Sequence, residues 1–239
     1  MNEVAQRVEH RARSLPRGGL AAAAILACCT ALAALPPAGR AADRRPVVLL
    51  FHAGGLLIGH ADLMDPLRPV VRGAGMKPVP VEYALFDYPD AFADAEAAAR
   101  RYRHRTVYAY GESAGATLAG WLAARHLVAA GAGNSPIVNL TAFVRAVKRS
   151  NPDNADLVER ASGGPRFVRR HSLQSIRGAP LRLYGNCRDP VAPCDVAIRY
   201  ASHYPQVSWR HAGVGHIGAR EGTMNRALDW FRTVAPPAP

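Results

Sequence analysis

Lysine is nearly missing from this chain. Thirty residues are Lys or Arg, yet only Lys77 and Lys148 are lysine. Acid is also scarce, and 18 Asp and Glu leave a formal net charge of +12 at pH 7. That balance raises nucleic acid, anionic surfaces and acidic substrates as partner classes, and it says nothing about fold. Aromatic residues make up 7% and charged residues 20%, but hydrophobic residues reach 49%, a globular rather than a disordered balance. The 19 Pro and 21 Gly follow no period, which excludes collagen-like and low-complexity classes. No internal repeat or linker-like stretch interrupts the 239 residues, a length suited to one full-sized domain or two very small ones.

Long apolar runs are missing too, with one exception. Residues 19–35 read GLAAAAILACCTALAAL, after Arg7, Arg11, Arg13 and Arg17 and before Pro36, Pro37, Gly39 and Ala41. A basic head, an apolar stretch and small residues at its end predict an export leader over 1–41, cleaved after Ala41. Two other readings stay open. The run is near the short limit of a bilayer span and would serve as an uncleaved anchor. The stretch Ile25-Leu26-Ala27-Cys28 resembles a lipoprotein box, which would leave Cys28 lipidated. Cleavage leaves one domain over 42–239, exported to the periplasm or beyond, with no membrane span.

Cysteine is sparse. Cys28 and Cys29 fall in the leader, and Cys187 and Cys194 remain. An even pair in an exported chain predicts a disulfide whose small loop gives local geometry more than stability. Two free thiols are the other reading. No second Cys or His pair has zinc-ligand spacing.

What remains alternates between strand and helix patterns. Residues 47–51 (VVLLF) are a continuous β-branched and apolar run, suited to a strand buried on both faces. Further strands are expected at 79–83, 106–110, 137–140, 181–184 and 207–210. Helices are expected at 62–72, 90–104, 114–130, 191–204 and 221–234. This is an α/β domain with a largely parallel sheet. Residues 141–178 break the alternation and predict a helical or loop excursion, either a surface connection or a lid.

The strongest chemical signal is Gly111-Glu112-Ser113-Ala114-Gly115. It follows a strand directly and opens a helix, as a nucleophile elbow must. Side chains beside Ser113 have to be small in so tight a turn, and Gly111, Ala114 and Gly115 are. A plain glycine-rich turn with an N-cap serine is the alternative. The second signal, Phe51-His52-Ala53-Gly54-Gly55, ends the first strand. A general base is sought among His52, His60, His171, His203, His211 and His216. His216 follows the last expected strand in Gly213-Val214-Gly215-His216, and His211 competes with it. For an acid, Asp189 and Asp195 both follow the 181–184 strand; Asp189 stands in Arg188-Asp189-Pro190-Val191, and either is also a possible helix N-cap.

These motifs make the chain resemble the α/β-hydrolase superfamily. The segment VVLLFHAGG…LIGHAD…AGMKPVPVEYAL…YPDAFADAEAAARRY looks like its hormone-sensitive-lipase and carboxylesterase branch. The resemblance implies a triad in the order Ser113, Asp189, His216. It also implies an oxyanion loop resembling HGGG, with donors from Gly54, Gly55 and Ala114, although Ala53 stands where the pattern has its first glycine. It implies two-step hydrolysis of carboxylic esters, with no metal or organic cofactor, on small-molecule or polymeric esters. Amide or peptide hydrolysis by the same residues, and a non-catalytic binding protein on the same fold, are the alternatives. Nucleic acid is not expected as a partner, because the basic run 100–105 closes a helix where bases are common anyway. The resemblance also implies a minimal sheet of five or six strands. Its usual leading strands have no residues to form from after cleavage, so the 79–83 strand becomes an edge. Pro78 and Pro80 place their missing N–H groups on one side, as an edge tolerates.

Overall fold

The computed structural model describes residues 43–173, 180–213 and 215–234. The expected leader, with Cys28 and the cleavage point after Ala41, lies outside the described residues. Among the described residues six strands form one parallel sheet: β1 (Val47–Phe51), β2 (Lys77–Pro80), β3 (Val107–Glu112), β4 (Ala130–Asn134), β5 (Leu181–Gly185) and β6 (Val207–His211), in the order β2-β1-β3-β4-β5-β6. Helices α1 (Arg68–Gly73), α2 (Tyr88–Arg101), α3 (Ala114–Ala124), α4 (Leu140–Ser150), α5 (Ala155–Ala161), α6 (Gly164–His171), α7 (Cys194–His203) and α8 (Arg220–Val234) connect and cover them.

The alternation of side chains along β1 explains why both faces are covered. Val47, Leu49 and Phe51 join a core with α2 and α3, and Val48 and Leu50 join a second core with α1 and α8. Every residue of β1 is buried. Each such aliphatic side chain contributes about 1.5–3 kcal/mol by leaving water. Helix α3 is buried along its whole length, which its Ala- and Gly-rich sequence permits in the layer against the sheet.

The edge expectation holds, with a shift of bounds. Among the described residues β2 pairs with β1 alone, and Lys77 and Val81 donate to Pro46 and Leu50 carbonyls. By the period of two, the Pro78 and Pro80 nitrogens face away from β1. The 62–72 helix is instead a 3-10 stretch (Ala61–Leu67) followed by α1, because Pro66 and Pro69 interrupt the α-helical ladder.

The fourth strand is a correction. The sequence pattern predicts it at 137–140, but it is AGAGN at Ala130–Asn134, and the helix before it stops at Ala124. Alanine and glycine carry little strand propensity. Tertiary packing selects them instead. A Cβ on Gly131 would lie 2.9 Å from the Ala119 carbonyl oxygen, and one on Gly133 would lie 2.7 Å from the Ala116 Cβ. Small residues let α3 lie directly on the strand. The expected 191–204 helix begins only at Cys194, after a loop containing Pro190 and Pro193.

Residues 140–171 form α4, α5 and α6, packed onto α2 and α3. Leu140, Val144, Val158 and Val168 enter the first core. His171 stacks on Phe167 with ring centroids 3.7 Å apart, beside Phe92 and Trp121. The Ser172 hydroxyl donates to the Val168 carbonyl and accepts from the Leu140 N–H, which ties the end of α6 to the start of α4.

Candidate active site

β3 runs out at Glu112, and the chain turns into α3 through Ser113. That turn forces Ser113 to φ 54° and ψ −117°, a conformation that costs an ordinary residue roughly 1–3 kcal/mol. The neighbours show why the flanking residues are small. A Cβ on Gly111 would sit 2.0 Å from the Gly115 carbonyl oxygen, and one on Gly115 would sit 2.3 Å from the Phe51 carbonyl oxygen. The second contact also places the elbow directly against the end of β1. The Ser113 N–H donates to the Asn134 carbonyl at 2.8 Å, so β4 holds the turn from its other side.

The loop after β5 carries Asp189, whose side chain is fully buried. Its Oδ1 accepts from the Val191 and Ala192 N–H groups at 2.9 and 3.1 Å. Burial pushes this carboxyl up, but hydrogen bonds from His216, Ala192 and Val191 outweigh it and hold the group below its ordinary value. Cys187 and Cys194 are joined by a disulfide with a Cα–Cα distance of 4.7 Å, and the bond closes this loop around Asp189.

The loop after β6 carries His216. Its Nδ1 lies 2.7 Å from Asp189 Oδ2, and its Nε2 lies 3.0 Å from Ser113 Oγ. A carboxylate only accepts, so Nδ1 bears the proton and Nε2 is left to accept from the serine hydroxyl. Three residues from three loops thus form one hydrogen-bonded chain. The competing residues lie elsewhere. Asp195 is exposed and pairs with Arg199 at 3.3 Å, and His211 is exposed, with Nδ1 accepting from the Gly213 N–H.

Gly54 and Gly55 adopt φ 130° and 68° in the turn after β1. A Cβ on Gly54 would fall on the Ile58 carbonyl oxygen, so this turn admits only glycine there. The N–H groups of Gly54, Gly55 and Ala114 have no acceptor among the described residues. The Tyr88 hydroxyl donates to the Gly55 carbonyl at 3.0 Å, and the Tyr83 hydroxyl donates to the His52 carbonyl at 2.8 Å. His52 itself is buried, stacked on Tyr83 and donating from Nδ1 to the Ala53 carbonyl. It therefore shapes the turn.

Sequence reasoning missed the supporting residues. Asn134 Nδ2 donates to the Gly218 carbonyl at 3.3 Å, and Ser135 Oγ accepts from the Ile217 N–H at 3.3 Å, so the end of β4 braces the His216 loop. Glu112 is buried and forms an ion pair with the partly exposed Arg220 at the start of α8. The polar pair Asn134-Ser135, directly after a run of Gly and Ala, was the available signal. It passes unnoticed when that run is not read as a strand.

The sheet order, the covered faces and the placement of three loops at its C-terminal edge define an α/β-hydrolase fold. Solved structures agree. An esterase from the planctomycete Thermogutta terrifontis superposes with a TM-score of 0.67 at 18% identity, covering 85% of this chain and 89% of that one. A Pyrobaculum calidifontis esterase gives 0.62 at 22% identity, over 80% and 77%. An acetyl ester-xyloside bifunctional hydrolase from Caldicellulosiruptor lactoaceticus gives 0.65 at 15% identity, over 81% and 84%. No protein-family model and no curated protein matches the chain.

Proposed function

We propose that the protein is a serine hydrolase that cleaves carboxylic esters through an acyl-enzyme. The observation that carries this reading is the continuous chain from Ser113 Oγ through His216 to Asp189, with links of 3.0 and 2.7 Å. His216 Nε2 takes the hydroxyl proton as Oγ attacks the ester carbonyl. Negative charge then develops on the carbonyl oxygen. The N–H groups of Gly54, Gly55 and Ala114 are its donors, and the N-terminus of α3 adds its dipole. His216 returns the proton to the leaving alcohol. Water, deprotonated by the same nitrogen, then releases the acid. Asp189 holds the imidazole in the required tautomer throughout.

The structural neighbours are esterases, which favours esters as the substrate class for this chain. A cavity of about 290 Å³ between α4 and residues 190–193, with Phe143 in its wall, lies beside the Asp189 loop. The disulfide fits an oxidising compartment, and together with the leader expected over 1–41 it supports export. No helix among the described residues is long and apolar enough to cross a membrane.

The test is p-nitrophenyl ester hydrolysis with graded acyl lengths, run beside labelling by a fluorophosphonate. Ser113→Ala is expected to abolish both while the circular dichroism spectrum is unchanged. Labelling that persists in the alanine variant defeats the reading.

A further inference from the structure

A second polar cavity lies away from Ser113, on the sheet face that α8 covers. Strand pairing sets it up. Arg182 pairs with Ser208 and Tyr184 with Arg210 across β5 and β6, and alternation puts all four side chains on the same face. The other face of these strands, with Leu181, Leu183 and Val207, packs its own core. On the α8 side, Arg226 and Trp230 complete a cavity of about 550 Å³ with Arg182, Tyr184 and Arg210.

Its chemistry is one-sided. Three guanidiniums line it, and its single acid, Asp229, is already paired with Arg232 at 3.1 Å on the exposed rim. The guanidiniums are held in place. Arg182 lies over the Trp230 ring at 4.6 Å and donates from Nε to the Ser208 hydroxyl, and Arg226 lies over Tyr184 at 5.2 Å and donates to the His211 carbonyl. Cations stacked on aromatic faces keep their forks oriented at little entropic cost.

Tyr184 supplies a second, independent observation. The residue is 1% exposed, and its hydroxyl is buried with no hydrogen bond of ordinary geometry among the described residues. The charges around it are Arg182, Arg226 and Arg210. Guanidinium offers donors and no acceptor, so none of them can take the hydroxyl proton. The Tyr184 hydroxyl proton therefore has no acceptor among the described residues, and the site carries excess positive charge. Burial already disfavours the charged form of Arg182, and the nearby Arg210 adds to this. A ligand bearing several acceptor oxygens and negative charge relieves both deficits.

We infer that the cavity formed by Arg182, Arg210, Arg226, Tyr184 and Trp230 is a binding site for a tetrahedral oxyanion, a phosphate or sulfate group, separate from the hydrolytic centre. The group accepts from the guanidinium forks and from the Tyr184 hydroxyl. Its source is either a free ion or the phosphate headgroup of a lipid, since both present the same oxygens.

Titration calorimetry with inorganic phosphate, at ionic strength matched with chloride, tests the assignment. The oxidised protein is expected to bind, and Arg182→Gln/Arg226→Gln to lose roughly tenfold or more in affinity, the effect of one charge-assisted hydrogen bond. Arg210→Gln changes an exposed residue of the edge strand and keeps the test valid if the double variant folds poorly. Arg101→Gln/Arg103→Gln removes the same charge elsewhere and is expected to bind as the parent does. Ser113→Ala should also bind normally, which separates this site from the hydrolytic reading. A second arm measures retention on phosphatidylglycerol vesicles. Retention lost in the cavity variants identifies the lipid headgroup, and phosphate binding without vesicle retention identifies the free ion. Equal phosphate binding by parent and cavity variants, or equal loss in the Arg101/Arg103 variant, overturns the assignment.

Discussion

Arg220 lays Nε and a terminal nitrogen on the two carboxylate oxygens of Glu112, each at 2.8 Å. Glu112 precedes the elbow serine, and Arg220 opens α8 four residues after His216, so the pair ties the nucleophile's turn to the histidine's loop. The same guanidinium donates to the Leu63 carbonyl. Burial pushes the Glu112 carboxyl up, and Arg220 opposes that shift without cancelling it. Glu112→Gln is expected to destabilise the fold by roughly 1–3 kcal/mol, below the cost of breaking a fully buried pair because Arg220 stays about a third exposed. Turnover should fall with it. The double variant Glu112→Gln/Arg220→Met should recover part of the stability loss. Denaturant midpoints across the mutant cycle check this, and strictly additive losses would contradict the coupling.

Asp189 and Asp195 make opposite predictions. Asp189→Asn removes the acceptor that selects the histidine tautomer, and turnover should drop by about 10⁴-fold, as it does where a triad acid is neutralised. Asp195→Asn loses only an exposed i,i+4 pair with Arg199, and turnover should stay within about twofold. Steady-state kinetics on one ester decide between them.

The Cys187–Cys194 disulfide encloses Asp189. Peptide mapping without reductant should recover the joined pair from exported protein. Reduction should release the 187–194 loop and lower turnover before it lowers helix content. The chain-entropy relation gives so short a loop roughly 2–3 kcal/mol at most. Activity and far-ultraviolet dichroism, followed together during reduction, are expected to separate in that order. Simultaneous loss would mean that the bridge serves the whole fold.

His171 gives the protein an acid-sensitive element. Burial among Phe92, Trp121 and Phe167 lowers its imidazole from the ordinary 6.5, and the hydrogen bond to the Phe167 carbonyl opposes this only in part. Below about pH 6.5 the unfolded chain takes up a proton that the folded site resists. The unfolded state then binds more protons, so stability decreases as pH falls. Burial shifts His52 the same way. The melting temperature should be lower at about pH 5 than at neutrality. His171→Phe should narrow that difference, because its ring remains apolar at both pH values.

Local sterics and local patterning made much of this legible in the amino-acid sequence. The run VVLLF can satisfy its pattern only as a strand covered on both faces. A serine in that tight turn demands Gly111 and Gly115, whose Cβ atoms would strike backbone. Pro78 and Pro80, two residues apart, point their missing donors to one side and so mark an edge. Each constraint acts within a few residues, so it is written in a few residues. The strand AGAGN is different. Its residues are chosen by α3 lying on them, and nothing in their own propensity announces a strand.

Tertiary structure alone decided the rest. Asp189 and Asp195 both follow β5, and although the resemblance favours Asp189, it is the loop closed by Cys187 and Cys194 that turns Asp189 inward and leaves Asp195 in water. The bonds from Asn134 and Ser135 to the His216 loop, and from Glu112 to Arg220, join residues 82 to 108 positions apart. No local preference selects such partners. They meet because parallel strands return every connecting loop to the same edge of the sheet, where side chains distant in sequence share one small volume.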